Sequence, residues 1–249
     1  MPAKAIAITG YKNSGKTRVV EALTKELTKR GYKVGTIKHS ADDINLDTPG
    51  KDTARHRASG SIATALLQEN TAAIFLDMHL TIQQATEKLG PFDYLLIEGF
   101  KTKDTQARII VPRNDEELMN LRNGLEIAAV KVPDSTLCAA PGLPLYTLDQ
   151  VSELADLVES RAFPMLSGLD CHSCGYHDCL SMGIGILAGE ATITQCVGYG
   201  STFSLKVNDL NVPLGNFTRE VLQNVILGFV KTLKGGEEAR KIHLEFEQE

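Results

Sequence analysis

Positive charge is not in excess in this sequence: 26 Lys and Arg stand against 31 Asp and Glu, a formal net charge of -5. An extended polyanion such as duplex DNA would find no general electrostatic attraction, so nucleic acid is not an expected partner. Long apolar runs are missing too. The longest candidates are interrupted by Gly, Lys or Asp, and none approaches the roughly 18 residues that span a bilayer, so no membrane partner is expected either. The N-terminal Met1-Pro2-Ala3-Lys4 runs directly into a strand-like stretch, without the charged segment, apolar run and cleavage site of a secretory leader, and the expectation is a cytoplasmic protein. In that setting five cysteines do not suggest a disulfide framework, and four of them fall within one short segment, which asks for a metal explanation. There is no internal repeat.

What is present is an ordinary globular composition, 43% hydrophobic and 23% charged over 249 residues, enough for one α/β core and a small second unit. Ala5 to Thr9 is a short apolar run, and Thr17 to Arg30 places Val20, Leu23 and Leu27 at helical spacing. Gly31-Tyr32 stops that helix and Val34 to Ile37 resumes a strand, a βαβ unit that implies a parallel sheet. Further strands are expected at Ala63 to Gln68, Ala72 to Leu76, Tyr94 to Ile97, Arg108 to Val111 and Ile127 to Val130, with helices at Thr81 to Leu89 and Gln150 to Arg161. The polar stretch from His39 to Arg57 reads as a functional loop, because structureless connections of that length are uncommon in compact domains. After Phe163-Pro164 the sequence turns Gly-rich and Cys-rich. It then offers a strand at Phe203 to Val207, a turn at Asn208-Asp209, an apolar helix at Phe217 to Leu233 and a weak strand pattern at Ile242, Leu244 and Phe246. With the pattern G-x-x-x-x-G-K-[ST] at Gly10 to Thr17 between the first strand and the first helix, the expected fold class is α/β, a P-loop NTPase-type, mostly parallel sheet with a small C-terminal module. The expected domains are 1–162, nucleotide-binding, and 163–249, the four-cysteine module with its strand and helix.

Gly10-Tyr11-Lys12-Asn13-Ser14-Gly15-Lys16-Thr17 fits G-x-x-x-x-G-K-[ST] between the first strand and the first helix. There the backbone N–H groups of Gly10, Asn13, Ser14 and Gly15 can curl round phosphate oxygens at a helix N-terminus. Lys16 would reach the β and γ phosphates, and the Thr17 hydroxyl would ligate Mg²⁺. Tyr94 to Ile97 ends in Glu98, a candidate for the metal or for positioning water, so Lys16 and Glu98 are the candidate catalytic pair. Asp47 competes for the metal role as a cofactor-binding residue. Asp52, Arg55 and Arg57 could hold phosphate or simply be solvated, and Lys38-His39 would lie near the nucleotide edge.

Cys171, Cys174, Cys179 and Cys196 are spaced C-x₂-C-x₄-C-x₁₆-C. Four thiolates suit an iron–sulfur cluster or tetrahedral zinc. Structural zinc usually shows two paired knuckles and Cys196 has no near partner, which favours [4Fe–4S]. Gly175 permits a tight wrap, and Leu180 to Ala188 would carry the chain away before Cys196 returns. His172 and His177 lie in the same loop but exceed the ligand count, and Cys138 reads as a plain thiol.

Gly10 to Thr17, Val34-Gly35-Thr36-Ile37-Lys38-His39, Asp47-Thr48-Pro49-Gly50-Lys51-Asp52-Thr53-Ala54-Arg55 and Leu96-Ile97-Glu98-Gly99-Phe100-Lys101 together resemble the molybdopterin-guanine dinucleotide biosynthesis protein B family, MobB, over roughly residues 1 to 160. The resemblance implies a dimeric, GTP-binding P-loop protein that assists attachment of GMP to molybdopterin. Its partners would be the molybdopterin guanylyltransferase and molybdopterin itself, and slow GTP hydrolysis is compatible with it. Guanine is implied by the family alone: no Asn-Lys-x-Asp motif is present, and Val130-Lys131-Val132-Pro133-Asp134 is only a loose echo. Residues 171 to 196 are similar to the small four-cysteine [4Fe–4S] domain of corrinoid iron–sulfur proteins. A competing reading makes the two halves one nucleotide-driven electron-transfer or metallocentre-insertion factor.

Overall fold

A computed structural model describes residues 2–245 apart from 41, 43, 102, 103, 200–202, 204, 208, 209 and 213. The chain divides into two compact units, one of residues 1–102, 108–122 and 126–162 and the other of 103–107, 123–125 and 163–249.

The first unit is built on β1 (Lys4–Thr9), β2 (Val34–Lys38), β5 (Tyr94–Glu98), β6 (Ala107–Ile110), β7 (Glu126–Lys131) and β8 (Leu145–Thr147), in the sheet order β2-β5-β1-β6-β7-β8. The pairs β1/β5, β2/β5, β6/β7 and β7/β8 are parallel. β5 and β6 are buried at every position, and β1 and β7 at nearly every one, which is why they read as continuous apolar runs rather than alternating ones. Helix α1 (Lys16–Lys29) lays Val19, Val20, Leu23 and Leu27 on the core. Each such aliphatic side chain stabilises the fold by about 1.5–3 kcal/mol on burial. Arg30 closes that helix and joins it to α5 (Val151–Arg161): its guanidinium donates to Glu26, Asp156 and Glu159 and to the Ser152 carbonyl.

Two expectations need correction. The segments at 63 and 72 are strands, β3 (Ala63–Leu67) and β4 (Ala72–Leu76), but they pair with each other antiparallel, as a two-stranded sheet apart from the main one. Only four residues separate them, enough for a hairpin and far too few for a parallel crossover. The stretch from His39 to Arg57 is not wholly irregular, since α2 (Asp52–Ala58) occupies its end. Helix α3 (Ile82–Leu89) begins at the expected place, with Thr81 and Gln84 forming a capping box. Strand β8 and helix α4 (Asp115–Leu121), capped by Asn114, carry no periodicity long enough to be read beforehand.

In the second unit α6 (Cys179–Ala188) starts on a capping box between Asp178 and Ser181 and ends at Gly189 in the left-handed region. A hairpin pairs Leu205–Val207 with Leu210–Val212, and α7 (Asn216–Val230) follows. The expected turn at Asn208-Asp209 and the tail position Phe246 lie outside the described residues, and 241–245 form no strand. Among the described residues no helix is long and apolar enough to cross a membrane.

Candidate nucleotide and metal-cluster sites

Strand β1 delivers the chain into the loop Gly10–Gly15 at the carboxyl edge of the sheet, where parallel α/β proteins bind ligands. Asn13 has φ 62° and Gly15 φ 88°, left-handed conformations of the kind found in anion-binding loops, and the Ser14 N–H donates to the Tyr11 carbonyl at 3.2 Å. Gly15 is the N-cap of α1, with no side-chain cap and no acidic residue in the first turn, so those helix-terminal donors are left for an anion. The loop admits no larger residue at its ends. A Cβ on Gly10 would lie 2.4 Å from Ser14 Oγ and 2.7 Å from the Val111 carbonyl, and one on Gly15 would lie 2.7 Å from Val132 Cγ1.

Lys16 Nζ donates to the Tyr11 carbonyl at 2.5 Å, across the mouth of the loop. Burial pushes its ammonium below the ordinary lysine value. Glu98 opposes this, and Lys101 and Lys38 add to it. A crowded, partly dehydrated cation of this kind gains most from an incoming polyanion. Thr17 Oγ1 donates to Glu98 Oε1 at 2.9 Å, and Lys38 Nζ stands 3.3 Å from the same oxygen. With its proton committed to Glu98, the Thr17 hydroxyl keeps its lone pairs for a cation. Ser14 Oγ is buried without a partner, an orphan that a phosphate-bound ligand would satisfy.

Sequence reasoning missed Lys38 as the counter-ion of Glu98, and Lys101, whose ammonium lies 3.6 Å from the centroid of the Tyr11 ring. Gly99 and Phe100, with φ 101° and 52°, turn the chain sharply after Glu98, and this brings Lys101 back over the loop. The His39 N–H donates to the Glu98 carbonyl, and its ring packs on Phe100 at 4.4 Å. Asp47 sits on a different segment. Its Oδ1 accepts from the Thr48 N–H at 2.8 Å and from Thr53 Oγ1 at 3.1 Å, tying the loop to α2, while Oδ2 is buried without a partner. Asp52 pairs loosely with Arg55, and Arg57 lies over the Phe75 ring.

In the second unit all four cysteines of the C-x₂-C-x₄-C-x₁₆-C segment line one cavity with Ser167, Asp170, His172, Asp178, Met182 and Val197. Asp170 and His172 take φ 45° and 56° and Gly175 85°, three left-handed turns that wrap the loop round the cavity. The Cys179 N–H donates to Asp170 Oδ1 at 2.7 Å, and Cys179 opens α6. Burial raises its thiol above the ordinary value, the shift expected of a thiol in an apolar site. Cys196 follows a 3₁₀ turn over Ile193–Gln195, and Arg219 of α7 donates to the next carbonyl, that of Val197. The Ser181 backbone N–H, with its hydroxyl and His177, lowers the carboxyl of Asp178 to about 2. His172 and His177 pack edge to face, centroids 5.5 Å apart. Among the described residues no three His, Cys, Asp or Glu side chains converge as ligands of a single ion would, although four thiols share one cavity.

A mostly parallel sheet whose first strand runs into such a loop makes the first unit a P-loop NTPase-like fold. The family profile described as "Molybdopterin guanine dinucleotide synthesis protein B" matches residues 5–132, just over half of the chain, and the protein belongs to that family, MobB. A second profile, described as "Putative Fe-S cluster", matches residues 166–197. Among relatives, a Methanocaldococcus jannaschii protein named "Putative molybdopterin-guanine dinucleotide biosynthesis adapter protein" is 26% identical over 98% of this chain and 97% of its own length. The Escherichia coli molybdopterin-guanine dinucleotide biosynthesis adapter protein is 32% identical over 61% of this chain and 90% of its own. The crystal structure of Bacillus subtilis MobB superposes with a TM-score of 0.55 at 26% identity, over 64% of this chain and 98% of that one.

Proposed function

We propose that this protein is a cytoplasmic GTP-binding adapter for molybdopterin guanine dinucleotide biosynthesis, with residues 1–162 as its nucleotide-binding domain and 163–249 as a [4Fe–4S] module. The observation that carries it is the hydrogen bond from Thr17 to Glu98 beside Lys16, a hydroxyl oriented for a divalent cation next to a cation oriented for phosphate. The backbone N–H groups of Gly10, Asn13, Ser14 and Gly15 would hold the β-phosphate, and Lys16 would bridge β and γ oxygens. Mg²⁺ held at Thr17, with Glu98 behind it, would supply charge neutralisation. Asp47 contributes through Oδ2, its partnerless oxygen. Slow hydrolysis would run through Lys16 and Glu98. Guanine, a guanylyltransferase partner and molybdopterin are part of the proposal, and family membership and relatives named as molybdopterin-guanine dinucleotide biosynthesis adapters support them. The homodimer is supported also by the β3–β4 hairpin, which leaves Ile62, Leu67 and Ile74 largely exposed.

For the second module, the donor chemistry fits iron–sulfur. Zinc needs four sulfurs about 2.3 Å from one point. A cubane attaches each thiolate to a different iron, and four cysteines lining one cavity, the last of them 17 residues after the third with no near partner, support that reading over a paired-knuckle zinc site.

Calorimetric titration with GTP, with and without Mg²⁺, tests the nucleotide reading. The expected result is Mg²⁺-strengthened binding, lost in Lys16→Ala, with the Mg²⁺ gain removed in Thr17→Ala. Folded wild-type protein that takes up no GTP would overturn it.

A further inference from the structure

The wall of the four-cysteine cavity is completed from outside the segment that carries the cysteines. Cys196 leaves its 3₁₀ turn into a second tight turn, closed by the Tyr199 N–H on the Cys196 carbonyl at 2.9 Å. That turn lies hard against Ser167, another residue of the lining: a Cβ on Gly198 would come within 2.7 Å of Ser167 Cβ. At the other end of the segment, Cys171 meets the start of α7. Gly215 is the N-cap of that helix, and a Cβ there would lie 3.3 Å from Cys171 Cβ.

Arg219 joins these two places. Its backbone N–H donates to the Gly215 carbonyl at 3.0 Å, which fixes its stem relative to the helix start. Its guanidinium Nη2 donates to the Val197 carbonyl, one residue after Cys196, and to the Leu214 carbonyl at 3.3 Å, one residue before Gly215. Val197 lines the cavity itself. One side chain thus ties the turn that carries Cys196 to the stretch that stands against Cys171. It also brings positive charge to a site that has little. Asp170 and Asp178 line the cavity beside the four thiols, and no Lys or Arg is among the described residues of the lining.

We propose that Arg219 is a positioning residue for the metal cluster, bracing the first and fourth cysteines and holding the reduction potential up with its charge. Four thiolates and two carboxylates make the site strongly negative, and one-electron reduction adds a further negative charge. A guanidinium hydrogen-bonded to the wall stabilises that reduced state more than the oxidised one. The inference rests on the [4Fe–4S] reading above and deepens it with a residue that no cysteine spacing announces.

The test uses full-length protein purified without oxygen, as wild type, Arg219→Met and Arg219→Lys. Two quantities are measured: the midpoint potential, from a dithionite titration followed by electron paramagnetic resonance, and the rate at which a ferrous chelator strips the iron. A unit charge about 10 Å from another shifts an equilibrium about tenfold in protein surroundings. Arg219→Met should therefore lower the potential by about 59 mV, the one-electron equivalent of that factor. Arg219→Lys keeps the charge but not the planar fork. It should hold the wild-type potential while losing iron about tenfold faster than wild type, the effect of two missing hydrogen bonds. A wild-type potential in iron-replete Arg219→Met would overturn the proposal, as would an equal fall in Arg219→Lys, which would mark a merely structural residue. Iron loss as slow as wild type in both variants would overturn the brace. If Arg219→Met takes up no iron, Arg219→Lys decides on the same terms. A wild type that holds no iron and sulfide would instead remove the [4Fe–4S] reading on which the inference rests.

Discussion

Lys16 shows most clearly the tension between stability and function at the scale of one residue. Its folded-state pKa is lowered, so the ionised form is less favourable in the folded chain than in the unfolded one, and at every pH below the ordinary 10.5 this costs stability. Lys16→Met removes that cost while keeping the stem. The nucleotide-free variant should melt no lower than wild type, while Mg²⁺–GTP binding disappears; a clear fall in melting temperature would contradict a net desolvation cost at this ammonium. Lys16, Thr17 and the loop glycines were legible in the sequence because the motif is local and each residue type has a backbone or charge reason. Lys38 was placed near the nucleotide edge, but its pairing with Glu98 and the position of Lys101 over Tyr11 were not legible, because they come from chain returning across β5 and through the Gly99-Phe100 turn.

At the scale of elements, α1 and α5 are joined by Arg30. The Arg30 side chain holds Glu26 and Glu159 below the usual glutamate value. Depressed carboxyls contribute stability above their ordinary pKa of 4.5 and lose it as pH falls further. Arg30→Met should therefore lower the melting temperature at pH 7, and the gap from wild type should shrink as pH falls below the ordinary 4.5; a gap independent of pH would mean the arginine acts through packing of its stem. Periodicity located α1, α3, α5, α6 and α7 to within a few residues, because a 3.6-residue stripe repeats over three turns or ends at a cap. It could not tell that β3 and β4 leave the main sheet. A five-residue apolar strand reads alike in either setting, and only the short connection forces the antiparallel hairpin.

For the whole molecule, metal content is the decisive measurement. Protein purified without oxygen should carry about four iron and four sulfide per chain, and Cys179→Ser, which removes the buried thiol at the start of α6, should lose most of both. One zinc per chain and no colour would assign the module a structural role. The sequence by itself determined the P-loop, the strand–helix alternation that demands a parallel sheet, and the four-cysteine segment, since each depends on residues near one another along the chain. Only the tertiary structure decided which carboxylate meets Thr17, that Asp47 bonds to Thr48 and to Thr53 of α2, that the four thiols face one cavity, and that Val132 packs against Gly15 of the phosphate loop. The contacts of Thr17 with Glu98 and of Gly15 with Val132 join segments far apart in the chain, set by the order in which strands enter the sheet and by the tight packing of what lies between them, while those of Asp47 and of the four thiols depend on how a loop folds on itself.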